Sequence, residues 1–413
     1  MTSEYFTPNL RKPQDGLTLK IKPVLEYLNN CKNAQFDWTT STPLSPPSQK
    51  VRQAAINAYF YEEMHTYGFS VMHETLLNSI VSYFNRKSIL CSKDKIQVRY
   101  TSFDILRDFY ASLRLDEDGV LLIAAPTFGY YVSQAAECRI KTKLVFAKGE
   151  NGWKITPEDL EEALEQSNAK LFLFTNPVNP TGVFYTKAEV EELSKVIKKY
   201  AVFTISDEIF SEISFDPNTQ PYSIAAVDGM FERTLTLGGL GKSKGVRLSF
   251  SCGPLDCLDT YPVSGILKPI QMAAIEALKI TSENDQYLAA SIDQYQSRIR
   301  LIQDRIILMN DDLNEFYGTT DITYVEPFII PNATNIFLLS VPGVFKRKAG
   351  QTKINNSLDL AKCIHQIVGI AMVPGEGFFI EGRKMALRIP MSITATELQD
   401  GLARILGALK TLL

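Results

Sequence analysis

Histidine is scarce in this chain: three in 413 residues, at His65, His73 and His365. The first two flank the run "TYGFSVM" and do not stand at a glycine-bounded strand end. A hydrolase triad needs a base held against its nucleophile, and no G-x-S-x-G nucleophile turn occurs. The six cysteines (Cys31, Cys91, Cys138, Cys252, Cys257 and Cys363) contain no C-x-x-C pair and do not cluster with the histidines. No metal site is expected from them, and scattered thiols read as reduced, which points to a cytoplasmic protein. Any general base is then a lysine or a carboxylate. No run reaches the roughly 18 apolar residues of a membrane span. The opening "MTSEYFTPNLRKPQDG" lacks the basic-then-apolar layout of a secretory signal. Charge of one sign is missing as well. With 43 basic and 46 acidic residues the net charge is -3, too balanced for a dominant nucleic-acid surface, although one or two placed cations suffice for a small anion.

What the chain does have is apolar content, 45%, at a length that allows more than one domain. From about residue 46 to 283, short continuous apolar runs alternate with capped amphipathic ones. "GVLLIAAPTF" (119–128), "AKLFLFTNPVNPTG" (169–182), "AVFTISDE" (201–208), "RTLTLGG" (233–239) and "GVRLSFSCGP" (245–254) read as strands. "TPEDLEEALEQSN" (156–168) and "TKAEVEELSKVIKKY" (186–200) read as helices with threonine caps, the second with acids early and lysines late. Helices between buried strands predict an α/β domain with a mostly parallel central sheet covered on both faces. After about 283 the texture changes. Residues 284–317 read as one long helix or two joined nearly end to end. "ATNIFLLSVPG" and "KMALRIPMSI" read as strands of a smaller α+β unit, and 394–413 as a closing helix. The expected division is an N-terminal segment (1–45) associated with the small unit, a large domain (46–283) and a small C-terminal domain (284–413).

Ligands in such sheets sit outside the carboxyl ends of the strands, and the polar residues there carry the chemistry. "GGLGKSKGVR" sets Lys242 and Lys244 in a glycine-rich turn beside Arg247. A flexible cationic surface turn is the plain alternative. A neutral amine, however, can condense with an aldehyde, and an arginine fork suits phosphate. Asp207 ends an apolar strand, where it either caps a turn or pairs with a protonated ring nitrogen. Asn179 lies in ordinary Pro/Gly turn chemistry, yet supplies an uncharged donor at another strand exit. Phe128 packs in the core or stacks on a planar ring. Arg388, inside the apolar "MALRIP", needs an anionic partner or a path to water, and a substrate carboxylate would serve.

Taken in order, "APTFGYY" (125–131), "NPVNPTG" (176–182), "SDEIF" (206–210), "GGLGKSKGVR" (238–247) and "ALRIPMS" (386–392) resemble the class I/II aminotransferases, pyridoxal-phosphate enzymes of the aspartate aminotransferase fold group. The resemblance spans roughly residues 35–413. It implies that Lys242 forms the Schiff base with the cofactor and shuttles protons, with Lys244 the alternative. Asp207 would pair with the pyridine nitrogen, Asn179 would donate to the ring oxygen, Phe128 would stack on the ring, and Arg247 would hold the phosphate. Tyr67 would reach that phosphate across a homodimer interface, and Arg388 would grip the substrate carboxylate. The chain also departs from the family. The loop from Lys242 to Arg247 is short, Gly239 and Gly241 replace the serines before the lysine, and Phe210 replaces a tyrosine. Thr101-Ser102 stands where the cofactor cup has small residues, offering hydroxyls to the phosphate. The implied activity is transfer of an amino group from an amino acid to a 2-oxo acid. A pyridoxal-phosphate lyase, decarboxylase or cyclising enzyme, or a non-catalytic binding protein on the same scaffold, remain open beside it.

Overall fold

The computed structural model describes residues 16–31, 33–60, 74–113, 119–254 and 265–412. Its larger sheet has seven strands in the order Ile96–Arg99, Ser249–Cys252, Thr234–Gly239, Phe203–Asp207, Ala169–Thr175, Val120–Ala125, Lys141–Phe146. The five strands from Thr234–Gly239 to Lys141–Phe146 are parallel. Ser249–Cys252 runs antiparallel to both of its neighbours.

Alternation along each strand explains the two covered faces. Leu121, Ile123, Leu171 and Leu173 enter one core with Ile105, Leu106 and Phe109 of helix Ser102–Ser112. Leu122, Phe172 and Phe174 point the other way, onto Val190, Leu193 and Ile197 of helix Lys187–Lys199. The expected threonine caps are both present. Thr156 and Thr186 each form a reciprocal capping box, with Asp159 and Glu189 respectively, so the exposed amides of the first turn find partners.

The second sheet has the order Phe36–Trp38, Ile370–Pro374, Ala386–Pro390, Ile336–Ser340, Glu326–Pro327. It packs with the C-terminal helix Ala395–Leu409 and the long helix Ser282–Tyr317 around fully buried Trp38, Ile336, Phe337 and Leu398. Gly401 is required by that packing, because a Cβ there would lie 2.2 Å from the Trp38 ring. The N-terminal segment therefore ties the two units together. Phe36–Trp38 lies parallel to Ile370–Met372 in the small sheet, while helix Gln49–Ala58, soon after it, packs on helix Lys268–Leu278 of the large one.

The stretch that reads as one helix or two is a single 36-residue helix, Ser282–Tyr317, capped by Thr281 and closed by left-handed Gly318. The strand read over 245–254 shortens to Ser249–Cys252, since Gly245 turns the chain at φ +71°. In the larger sheet two strands were not anticipated, Ile96–Arg99 and Lys141–Phe146, and both are sheet edges; in the smaller sheet Phe36–Trp38, Ile370–Pro374 and Glu326–Pro327 were not anticipated either. Ile96–Arg99 is four residues long, and Lys141–Phe146 opens on Lys141 and Lys143 and buries only Val145 fully. Edge strands lack the continuous apolar run that marks the interior ones.

Candidate active site

Asp207 is the last residue of its strand and only 2% exposed. The Tyr131 hydroxyl donates to its Oδ2 at 2.7 Å, and the Ile209 amide donates to Oδ1 at 3.1 Å. Burial pushes the Asp207 carboxyl up to about 6, against the pull of these two donors and of the Lys242 charge. The neighbouring strand exit is fastened to it, as the Asn176 amide donates to the Asp207 carbonyl at 2.9 Å. Beyond Asn176 the loop bends back at Gly182, where φ is +71° and a Cβ would lie 2.5 Å from Pro331. Within that bend the Asn179 amide nitrogen of the backbone donates to Thr175 Oγ1 at 3.3 Å, while its side-chain Oδ1 is buried without a partner among the described residues.

The two lysines of the glycine-rich turn diverge. The turn is closed by the amides of Lys244 and Val246, both donating to the Leu240 carbonyl. From it Lys242 reaches toward the N-terminal segment. Its Nζ donates to the Ser41 carbonyl at 3.0 Å and to Ser41 Oγ at 2.8 Å, and it lies 5.2 Å from the centre of the Phe210 ring. Burial, then the charges of Arg388 and Arg247, lower its pKa to about 7, with Asp207 opposing. Lys244 points elsewhere: its Nζ is 3.9 Å from Glu212 Oε1, and the same carboxylate accepts the Ser243 hydroxyl.

Arg388, on strand Ala386–Pro390, is 4% exposed. Its Nη2 donates to the Thr39 carbonyl, its guanidinium lies 5.5 Å from the Phe378 ring centre, and its Nε is buried without a partner among the described residues. Burial lowers its pKa to about 10, and Asp37 partly offsets this. The Phe128 ring is 6.1 Å from Phe378 and 6.2 Å from Phe103, which lies 5.6 Å from the Tyr131 ring. A chain of rings thus runs from Arg388 toward Asp207. Arg247 is solvent-exposed, and its charge acts on Lys242.

Thr101 and Ser102 begin helix Ser102–Ser112. The exposed Thr101 hydroxyl is committed to its own helix, since it donates to Asp104 Oδ2 at 2.8 Å and accepts from the Asp104 amide at 3.1 Å. The adjacent Ser102 is buried. Tyr67 lies outside the described residues. Among the described residues no group of three or more His, Cys, Asp or Glu side chains is placed to hold a metal ion. Lys242, Asp207, Arg388 and Arg247 are therefore electrostatically linked around one amine, whereas Lys244 is not among them.

Sequence reasoning missed three participants: Tyr131, Ser41 and Asn335, whose Nδ2 donates to the Ser41 carbonyl at 3.0 Å. Tyr131 sits within the quoted "APTFGYY", but nothing local separates it from Tyr130. Ser41 is 201 positions from the lysine it meets, so no spacing rule reaches it.

The chain matches the family aminotransferase class I and II over residues 33–405, and it belongs to that family. Enzymes of this family use pyridoxal phosphate. Among curated relatives, the aspartate/prephenate aminotransferase of Cereibacter sphaeroides is 30% identical over 271 residues, covering 63% of each chain. The chain thus spans less than two thirds of that relative's length. The aspartate aminotransferase of Bacillus subtilis (strain 168) is 25% identical over 355 residues, 80% of each chain. Among solved structures, the aspartate aminotransferase of Rhizobium meliloti superposes with a TM-score of 0.81 at 20% identity, covering 99% of this chain and 100% of that one. The aromatic aminotransferase of Pyrococcus horikoshii gives 0.77 at 21% identity, with 94% and 98% covered. The α/β fold is thereby shared.

Proposed function

We propose that the protein is a pyridoxal-phosphate-dependent aminotransferase that moves the amino group of an amino acid to a 2-oxo acid, with Lys242 as its reacting amine. The observation that carries the reading is convergence: the short segment 39–41 meets both the Lys242 amine and the buried Arg388 guanidinium, and the charge of buried Asp207 acts on the same amine. The residues suit the cofactor. Arg388 Nε is buried and uncommitted, which is costly unless a polar ligand meets it. Asp207 offers a desolvated carboxylate to a protonated ring nitrogen, and Arg247 offers an open guanidinium to a phosphate. Self-capping leaves Thr101 less free for that phosphate than Ser102 and Arg247.

Pyridoxal phosphate, when bound, supplies an aldehyde that condenses with amines and a ring that accepts electrons from the reacting carbon. The chain's residues supply the rest. With a pKa near 7, Lys242 is substantially neutral at physiological pH, and so able both to attack an aldehyde and to take a proton from carbon. Asp207 would fix the ring-nitrogen proton, and its two donors keep the carboxyl from rising further. Asn179 would turn its amide toward the ring oxygen, Phe128 would lie against the ring face, and Arg388 would take the substrate carboxylate on its Nε edge. The proposal extends to a homodimer. Ile56, Tyr59 and Phe60 near the end of helix Gln49–Ala58, with Leu267 and Ile280 flanking the helix it packs on, are exposed apolar side chains that a second copy would cover. It extends also to a cytoplasmic setting, on the strength of the free thiols Cys31, Cys91, Cys138, Cys252 and Cys363.

Phe210 favours a second reading. Below Lys242 it presents a ring without a hydroxyl, so the proton balance at the amine differs from a tyrosine-bearing site, and elimination, decarboxylation or cyclisation would keep the same cofactor. Borohydride reduction of the cofactor-loaded protein, followed by peptide mapping, is expected to mark Lys242 and to leave Lys244 free. Amino-acid turnover is expected to require a 2-oxo acid acceptor. Product formed without an acceptor would transfer the case to the second reading, and a mark on Lys244 would reverse the lysine assignment.

A further inference from the structure

We propose that Ser41 is a positioning residue for the Lys242 amine, holding it by a carbonyl and a hydroxyl from a segment outside the large domain's sheet. The proposal rests on Lys242 being the reacting amine. Ser41 follows the small-sheet strand Phe36–Trp38 and is 7% exposed, so water does not compete freely for its oxygens. Both oxygens accept from Lys242 Nζ, at 3.0 Å and 2.8 Å. The carbonyl is fixed from its other side by Asn335 Nδ2 at 3.0 Å, and the Asn335 carbonyl accepts the Met391 amide at 2.9 Å. Ser41 is therefore anchored to the small unit before it meets the lysine.

The charges facing the amine are Arg388 and Arg247, which disfavour its protonation, and Asp207, which favours it. The Phe210 ring supplies no oxygen. Ser41 is thus the neutral counterweight. Two oxygen acceptors stabilise an ammonium without adding a charge, so the amine can still lose its proton near neutrality. A carboxylate in that place would bind the proton tightly. A hydroxyl can also reverse its role and donate to the lone pair of the neutral amine, which a carbonyl cannot do. The same short segment meets the substrate end, where the Thr39 carbonyl accepts from Arg388 Nη2. Residues 39–41 therefore touch both the reacting amine and the guanidinium assigned to the carboxylate.

The test is competitive labelling with trace acetic anhydride across pH, read at Lys242 by mass spectrometry on the full-length chain stripped of cofactor with hydroxylamine and then dialysed. Ser41→Ala is expected to lower the Lys242 midpoint by about one pH unit, the worth of one hydrogen bond to a charged group. Ser41→Thr, which keeps the hydroxyl, is expected to restore the wild-type curve. If Ser41→Ala does not fold, Ser41→Cys, of similar size but a weak acceptor, is expected to give the same downward shift. A curve for Ser41→Ala or Ser41→Cys that superimposes on wild type overturns the proposal, as does failure of Ser41→Thr to rescue. A parallel borohydride trap with pyridoxal phosphate separates the two readings. If no variant and no wild type traps at Lys242, the proposed function fails, while the labelling curves still judge Ser41.

Discussion

The two ends of the candidate site are built on different physical terms. At the Asp207 end, a carboxylate that is 2% exposed is held by a tyrosine hydroxyl and a backbone amide, next to an amine whose pKa has dropped to about 7. At the Arg247 end the guanidinium lies in solvent, and Thr101, another candidate for the phosphate, has spent its hydroxyl on its own helix cap. Desolvation makes the first end reactive, since each charge there is kept in a low-dielectric surround and shifted toward neutrality. The open end can attract a phosphate, but water and salt screen what it offers. The contrast teaches that chemistry and affinity are divided between the ends.

Four substitutions sharpen or break that division. Asp207→Asn, which keeps shape and removes charge, is expected to lower kcat by on the order of 10²- to 10³-fold. Cofactor trapping at Lys242 is expected to persist, as measured by steady-state kinetics beside borohydride mapping. The acid side of the pH profile is expected to have two steps, the upper from Lys242 near 7 and the lower from the same carboxyl. Asp207 is raised to about 6, so it is neutral below that pH and activity is expected to rise as pH climbs through it. Removing one donor by Tyr131→Phe is expected to move this lower step to higher pH, and an unmoved step would separate Tyr131 from the acid. For stability the sign is opposite. The folded chain binds the proton more tightly than the unfolded one, so this group's contribution falls as pH rises from the ordinary aspartate value toward 6.

Next in size, Arg388→Ala is expected to raise KM for α-amino acids by on the order of 10²-fold, as loss of a buried carboxylate partner would. Amines without a carboxylate are expected to be little affected. Equal losses for both would assign Arg388 to the fold and not to the substrate. The smallest effect is expected from Arg247→Ala, a roughly three- to tenfold weaker cofactor Kd that narrows as salt is raised. A loss at Arg247 larger than that at Asp207 would invert the comparison between the ends.

Much of the large domain could be read before the structure, for a local reason. "AKLFLF" and "VFTIS" are continuous apolar runs ended by polar or Pro/Gly residues, and a run of that kind is buried on both faces wherever it is placed. Thr156 and Thr186 announced their helices through capping that is completed within four residues. The edge strands Ile96–Arg99 and Lys141–Phe146 escaped because half-exposed strands dilute that signal. At the site, Asp207, Asn179 and the lysine turn were legible as strand exits. The roles of Ser41, Asn335 and Tyr131 were not, because each depends on a meeting between segments far apart in the chain.

The sequence by itself determined the class of elements, the order of polar strand exits and the presence of a lysine pair beside an arginine, since periodicity and capping act over a few residues. Only the tertiary structure decided that Lys242 turns to Ser41 while Lys244 turns to Glu212, and that the pKa values of Lys242 and Asp207 converge near neutrality. Direction and desolvation are set by everything that packs around a group, and that packing exists only once distant segments have met.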